Sequence, residues 1–129
     1  MKNPRKLILI VDDFSGMRNL YRQFLAQEEF QLAFAGDGQE ALEKAFQLKP
    51  DVILMDLSLP VMDGWEATRR LKADEKTRHI PVIMLSVHEM DGARDAVAKA
   101  GFDGVISKPC KPGDLTAEIT QVLSRPPLD

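Results

Sequence analysis

The sequence has little of what several specialised classes of protein require. Its single cysteine, Cys110, excludes an internal disulfide framework and fits the reducing cytoplasm. No apolar run approaches the roughly 18 residues of a membrane span, and residues 7–11 are too short for the core of a signal peptide. The formal net charge of -3 leaves no basic excess for broad binding of nucleic acid. We therefore expect a cytoplasmic protein that contacts neither membrane nor nucleic acid.

What the sequence does contain is the material for one globular domain. Its 129 residues are 44% hydrophobic and 29% charged, which is typical of a soluble domain with a real core. We expect this domain to cover residues 1–125. Residues 126–129 are expected to form a tail, because Pro126 and Pro127 cannot continue a helix.

Five strand-like runs alternate with segments of helical periodicity. Residues 7–11, 52–56 and 81–85 are almost wholly apolar, as in strands buried on both faces, and residues 30–35 and 102–107 complete the set. Apolar side chains at helical spacing predict five helices. The first starts at Ser15, and its core side carries Met17, Leu20, Tyr21, Phe24 and Leu25. The second starts at Asp37 or Gly38 with Ala41, Leu42, Ala45 and Phe46 inward, and the others cover 65–72, 89–100 and about 113–124. Residues 73–79 are polar and predict a solvated loop or a frayed helix end. The alternation predicts an α/β fold whose mainly parallel sheet has helices on both faces.

Polar side chains follow four of the predicted strands, at the point where each strand ends. Asp12 and Asp13 follow the first, Asp56 ends the third, Ser86 follows the fourth and Lys108 the fifth. Taken singly, each is most simply a loop start, a helix cap or a surface ammonium. Open α/β sheets bind their ligands at the carboxyl ends of the strands, so we expect these five side chains to share one rim.

The residue types at this rim favour phosphoryl chemistry with a metal ion. Three carboxylates within about 5 Å repel one another by several kcal/mol, and a hard divalent cation, best Mg²⁺, would offset that repulsion. A carboxylate beside a metal can attack phosphorus, and Asp56 on the central strand is the predicted nucleophile. Asp12 and Asp13 would hold the metal, Lys108 would contact a phosphoryl oxygen, and Ser86 would offer a hydroxyl donor.

Short motifs built on these residues extend over roughly residues 6–123. They are Val11-Asp12-Asp13-Phe14-Ser15 with Met17-Arg18, Asp56 with Pro60 and Asp63-Gly64, Ser86, and Lys108-Pro109. Together they resemble the receiver domain of two-component response regulators, and the first motif is similar to that of single-domain chemotaxis regulators.

The resemblance implies a flavodoxin-like (βα)5 fold with strand order 2-1-3-4-5. It implies that Asp56 accepts a phosphoryl group from a sensor histidine kinase or a histidine phosphotransfer protein. The Mg²⁺ ligands would be the side chains of Asp13 and Asp56 and the backbone carbonyl of Ser58, with Asp12 acting partly through water. The Lys108–Pro109 bond would be cis, and Ser86 would move toward the phosphate in a population shift.

One position departs from the pattern of the family. The residue three places before the lysine is usually aromatic and turns inward on activation, but here it is Val105. Signalling through the face formed by the last strand and the helices around it should therefore differ or be weaker. Ser58 and His88 occupy places that tune the lifetime of the phosphate in this family.

Four other interpretations stay open on the sequence. The chain could be a receiver fragment of a larger regulator or hybrid kinase. A phosphatase that forms an aspartyl phosphate would need a second aspartate two residues after the nucleophile, where Ser58 stands. A flavin-binding carrier would need a phosphate-cradling loop where Asp12 and Asp13 lie. A receiver-like fold that is never phosphorylated would not need the complete acidic set. The sequence names neither the cognate kinase nor the downstream target.

Overall fold

The computed structural model describes residues 6–14, 16–25, 30–57, 59–86, 99, 101–107 and 112–124. Within these ranges five strands alternate with helices. The elements are β1 (Leu7–Val11), α1 (Gly16–Leu25), β2 (Gln31–Ala35), α2 (Gly38–Leu48), β3 (Val52–Asp56), α3 (Gly64–Ala73), β4 (Val82–Ser86), β5 (Gly104–Ser107) and α4 (Pro112–Leu123). The helix predicted over 89–100 lies outside the described residues except for Lys99, which is helical. No helix in the described ranges is long and apolar enough to cross a membrane.

All five strands form one parallel sheet in the order β2-β1-β3-β4-β5, which confirms the predicted topology. The central strand β3 lies between β1 and β4. Val11 is opposite Met55, and Asp56 is opposite Leu85 on the other side. This register brings the residue after β1 and the last residue of β3 to the same edge of the sheet.

The sheet is covered on both faces, and each face has its own apolar core. Alternate residues of β1 point to opposite sides: Leu9 and Val11 join the core under α2 and α3, whereas Ile8 and Ile10 join the core under α1 and α4. Strands buried on both faces require continuous apolar runs rather than alternating ones. This requirement is the physical reason why β1, β3 and β4 could be located from the sequence.

Helix α2 starts where the sequence predicted, but one of its predicted core residues is exposed. Asp37 is the N-cap and accepts a hydrogen bond from the backbone N–H of Glu40 at 2.7 Å. Phe46 was predicted to face inward, and this was wrong, because 40% of its surface is exposed. The buried stripe is centred near Ala45, and Phe46 lies about 100° further round the helix.

The polar segment after α3 is better anchored than its composition indicates. Thr77 is fully buried, and its hydroxyl donates to the backbone carbonyl of Leu71 at 2.7 Å. The backbone N–H groups of Thr77 and Arg78 both donate to the carbonyl of Asp74. The segment is a loop, as predicted, but its solvated polar residues surround one buried hydroxyl.

Lys72 holds the amino edge of the sheet together. Its ammonium donates to the carbonyl of Ile80 at 2.8 Å and to the carboxylate of Asp103 at 3.0 Å. The same carboxylate oxygen accepts the backbone N–H of Val82 at 2.8 Å. We call these contacts the Lys72 clamp. It joins the end of α3, the start of β4 and the residue just before β5.

Candidate functional site

Three carboxylates meet at the carboxyl edge of the sheet, where β1 and β3 lie side by side. Asp12 and Asp13 follow β1, and Asp56 is the last residue of β3. Each offers one oxygen, and these three oxygens all lie within 4.8 Å of one another. We call this group the acidic cluster. Among the described residues it is the one cluster of potential metal ligands.

The three members of the acidic cluster differ in exposure. Asp12 is 3% exposed and Asp56 is 9% exposed, whereas Asp13 is open to solvent. An ion that approaches from solvent would therefore meet Asp13 first and the other two carboxylates below it.

Hydrogen bonds fix the buried Asp12 from two directions. Its Oδ1 accepts the backbone N–H of Phe14 at 3.0 Å, and its Oδ2 accepts the hydroxyl of Tyr21 at 3.3 Å. Burying a carboxylate is costly unless donors replace its lost water. These two donors, one from the loop after β1 and one from α1, help to hold the charge of Asp12 inside the fold.

The loop from β3 to α3 packs tightly against the backbone of Asp56. The N–H of Gly64 donates to the carbonyl of Leu57 at 3.1 Å. A Cβ atom on Gly64 would lie only 2.2 Å from the backbone oxygen of Asp56, so no side chain fits there. Asp63, part of the family motif, accepts the N–H of Glu66 at 2.9 Å and is the N-cap of α3. In this structure Asp63 therefore starts α3, which braces the strand end that carries Asp56.

The electrostatics of the acidic cluster favour a bound cation. Two ionised carboxylate oxygens 4.8 Å apart repel each other by roughly 3 kcal/mol at an effective dielectric constant of about 20. Three carboxylate oxygens within 4.8 Å of one another are suitable ligands for a hard divalent ion. Mg²⁺ needs only one or two carboxylates, because water fills its other coordination positions. The donor set thus fits the metal that the sequence implied.

Another charged group, on α3, consists of Glu66 with Arg69 and Arg70 and contains its own positive charges. Hydrogen bonds from Arg69 and Arg70 lower the pKa of Glu66 to about 2, and the same carboxylate raises the pKa of Arg69. Its two arginines neutralise it within one helix, as in helical ion pairs three and four residues apart. The charge of Glu66 is therefore already balanced within α3.

Several predicted site residues fall beyond what the structure describes. Ser58, His88 and Lys108 lie outside the described residues, and the roles assigned to them stay predictions. Ser86 ends β4 opposite Ser107, as expected, but its side chain is not described.

The structure adds to what the sequence indicated about two residues. Val105 lies in β5 with 37% of its surface exposed, and it offers neither ring nor hydroxyl. Tyr21 was assigned to the core of α1 alone, yet its hydroxyl reaches the acidic cluster. The signal was available, because a buried tyrosine usually finds a partner for its hydroxyl.

A parallel five-stranded sheet in the order 2-1-3-4-5, covered by helices on both faces, is the flavodoxin-like fold. The model of the response regulator receiver domain matches residues 8–120, and the chain belongs to this family. Receiver domains interact with histidine kinases and phosphotransfer proteins, and they bind Mg²⁺ at an acidic pocket.

The chain is similar over most of its length to named proteins of this family. It is 39% identical over 120 residues to the chemotaxis protein CheY of Halobacterium salinarum, covering 92% of this chain and 98% of that one. It is 36% identical over 104 residues to the polar-differentiation response regulator DivK of Brucella anthropi, covering 81% of this chain and 85% of that one.

Solved structures agree with the fold. The receiver domain of the sensor histidine kinase PA1611 of Pseudomonas aeruginosa superposes with a TM-score of 0.85 and 30% identity, over 95% of this chain and 100% of that one. That domain has a magnesium ion coordinated in its active site cleft. A putative response regulator of Chloroflexus aurantiacus superposes with a TM-score of 0.88 and 27% identity, over 95% of this chain and 100% of that one.

Proposed function

We propose that Asp56 accepts a phosphoryl group from a histidine kinase or phosphotransfer protein in a step that requires Mg²⁺. The single observation that carries this proposal is the convergence of three carboxylate oxygens within 4.8 Å at the carboxyl edge of the sheet. Membership of the receiver family supplies the class of donor. Phosphorylation of Asp56 then alters the affinity of the domain for a downstream protein.

The residues that would hold Mg²⁺ are the side chains of Asp13 and Asp56 and the backbone carbonyl of Ser58. Asp12 would contribute partly through water. The exposure of Asp13 supports this assignment, because an ion can reach it from solvent. When bound, the ion offsets negative charge on the phosphoryl oxygens.

In the proposed reaction a carboxylate oxygen of Asp56 attacks the phosphorus of a phosphohistidine. The new O–P bond forms as the P–N bond breaks, and the electron pair of that bond stays on the imidazole nitrogen. The ammonium of Lys108 is assigned to a phosphoryl oxygen, and the hydroxyl of Ser86 is assigned as a donor to the phosphorylated state. Asp56 is nearly buried but lies at the strand end, where a donor can approach it.

The chain acts in this proposal as a signalling domain and not as a classical enzyme. A phosphatase would turn over small phosphate esters many times, so sustained turnover would favour that alternative. We extend the receiver to residues 1–125, which reaches beyond the family match at 120 and the end of α4 at Leu123. We also assign the domain to the cytoplasm, on the support of its single cysteine.

The proposal is tested by labelling the chain with acetyl phosphate and locating the phosphoryl group by mass spectrometry. We expect one phosphoryl group on Asp56 in the presence of Mg²⁺ and none in excess chelator. Asp56→Asn should abolish the label, because an amide is a far weaker nucleophile than a carboxylate.

Asp63→Asn is the matched control for this experiment. Asp63 lies in the same loop, but its carboxylate caps α3, and asparagine caps helices about as well. This variant should be labelled like the natural chain. A label that persists on Asp12 or Asp13 in Asp56→Asn would show that the nucleophile is assigned wrongly, and undiminished labelling in chelator would remove the metal from the proposal.

A further inference from the structure

Tyr21 connects the hydrophobic core to the acidic cluster. It is the one tyrosine of the chain, lies on α1 and is 2% exposed. Its hydroxyl donates to Oδ2 of Asp12 at 3.3 Å, nine residues earlier in the sequence. A core residue thus contacts a group that the proposed function places beside the metal.

Packing fixes where this hydroxyl can be. The ring of Tyr21 belongs to one apolar cluster with residues from β1, α1 and α4, among them Ile10, Leu25 and Ile119. Interiors of this kind are packed as densely as organic crystals, so a buried ring has little room to swing. The donor to Asp12 is therefore held in place by the whole α1–α4 side of the core.

The N–H of Phe14 and the hydroxyl of Tyr21 together restrict the orientation of the Asp12 carboxylate. The N–H of Phe14 holds Oδ1 and the hydroxyl of Tyr21 holds Oδ2. A carboxylate has about four lone-pair sites, so both oxygens can still accept from water or approach a cation. Donors from different elements, one on each oxygen, restrain the plane of the group more than a donor on one oxygen would.

We propose that Tyr21 is a positioning residue that holds Asp12 in the acidic cluster and thereby strengthens Mg²⁺ binding. The inference rests on the proposed function. Without the hydroxyl, repulsion from Asp13 and Asp56 favours rotation of the Asp12 carboxylate away from the cluster, because separation lowers the Coulomb energy. Cation binding must then reverse that rotation. With the hydroxyl, the carboxylate is already in place before the ion arrives.

Partners that orient a metal ligand commonly contribute 10- to 100-fold to metal affinity. The hydrogen bond from Tyr21 is rather long, so we expect the lower end of that range. Tyr21→Phe keeps the ring and its packing and removes only the hydroxyl. It should raise the Kd for Mg²⁺ about tenfold, measured by isothermal titration calorimetry on the full chain without a phosphoryl donor.

Thr77→Val is the matched control. It also removes a buried hydroxyl with a hydrogen bond, but at the opposite edge of the sheet. Its Kd for Mg²⁺ should equal that of the natural chain, even if it is less stable. An unchanged Kd in Tyr21→Phe would overturn the inference and leave the proposed function intact. A natural chain that binds no Mg²⁺ would instead refute the proposed metal site, and the inference with it.

A spectroscopic readout tests the same contact while the hydroxyl at position 21 is kept. Because the chain has one tyrosine, incorporation of 3-fluorotyrosine gives a single ¹⁹F resonance from position 21. Mg²⁺ should shift this resonance, since the carboxylate that the phenol contacts changes its electrostatic surroundings. In Asp13→Asn, which lacks one proposed ligand, the shift should appear only at higher Mg²⁺ concentration. A resonance that does not move at saturating Mg²⁺ would overturn the inference.

Discussion

Asp12 and Asp13 are adjacent in the sequence, but the fold gives them different physical tasks. Asp12 is buried and receives donors from Phe14 and Tyr21, whereas Asp13 faces solvent. A buried carboxylate needs such partners because desolvation of an ion is costly. Asp12 is therefore a carboxylate with a restrained position, and Asp13 is a carboxylate that ions can reach from solvent.

At the scale of single residues, Thr68 gives a direct test of the core. It is fully buried on α3, and its hydroxyl finds no hydrogen-bond partner among the described residues. Thr68→Val should raise the free energy of unfolding by about 1 kcal/mol, because valine has the same shape and no hydroxyl to desolvate. Urea denaturation of the two chains measures the difference.

Thr77→Val should have the opposite effect and serves as the control. Its hydroxyl is equally buried but donates to Leu71, so its removal leaves a buried carbonyl without that donor. We expect a loss of about 1–3 kcal/mol. A loss of similar size in Thr68→Val would mean that the hydroxyl of Thr68 is satisfied after all.

The position of Asp56 could be predicted from the sequence, whereas the contact of Tyr21 with Asp12 and the exposure of Phe46 could not. Asp56 is visible because a charged residue ends an apolar run, and that contrast is local. A buried Tyr21 could be expected to find some partner for its hydroxyl, but the choice of Asp12 could not be predicted, because it depends on how α1 is rotated against the sheet. Phe46 was misplaced for the same reason, since its exposure depends on the angle at which α2 packs.

At the scale of elements, the loop from β3 to α3 is built for close contact rather than for flexibility. Gly64 contacts the backbone of Asp56, and the N–H of Gly38 at the start of α2 donates to the carbonyl of Met62 at 3.1 Å. The first residues of α2 and α3 therefore both pack closely against the segment around the proposed phosphoacceptor and the loop that follows it. The family motif placed Gly64 near the site, but its distance to Asp56 became evident only in three dimensions.

Gly64→Ala should disturb this arrangement. The added Cβ would lie 2.2 Å from a backbone oxygen, which cannot move aside as a flexible side chain could. We expect a loss of about 1–3 kcal/mol in the free energy of unfolding, as for other overpacked sites, together with slower labelling by acetyl phosphate. Urea denaturation and the initial rate of labelling measure the two effects.

Gly113→Ala is the control for that substitution. A Cβ on Gly113 would meet no atom of the described residues within 4 Å, and alanine is favoured over glycine in a helix. The variant should be as stable as the natural chain or slightly more so, and it should be labelled at the same rate. Equal behaviour of Gly64→Ala and Gly113→Ala would show that the loop tolerates the extra atom.

The order and bounds of the described elements were largely predictable, because they follow from patterns within ten or so residues. Asp37 was predicted as a possible start of α2 and is its N-cap, and α3 extends one residue beyond its predicted range at each end. The burial of Thr77 was not predictable, because a polar segment carries no local sign that one hydroxyl is enclosed.

At the scale of the whole molecule, ion binding and folding should be coupled. The acidic cluster exists only in the folded chain, since its members come from two strands. A ligand that binds only the folded state at 100 times its Kd stabilises that state by about 2.7 kcal/mol. We expect Mg²⁺ to raise the thermal midpoint accordingly, relative to EDTA with NaCl at matched ionic strength.

Asp13→Asn separates ion binding from general charge effects. In EDTA it should be more stable than the natural chain, because one of three mutually repelling charges is gone, and it should gain less from Mg²⁺. Glu75→Gln, which removes an exposed carboxylate from the loop after α3, should keep the full gain. Equal midpoints of the natural chain in Mg²⁺ and EDTA would contradict the coupling.

The Lys72 clamp lies at the edge of the sheet opposite to the acidic cluster. It fastens the residue before β5 to the end of α3 and the start of β4, and β5 also pairs directly with β4. The start of β5 is thus attached to the body of the domain both by its pairing with β4 and by side-chain contacts with the end of α3. Loss of the Lys72 ammonium would therefore weaken the anchoring of β5 at the end of the sheet that is remote from the proposed phosphoacceptor.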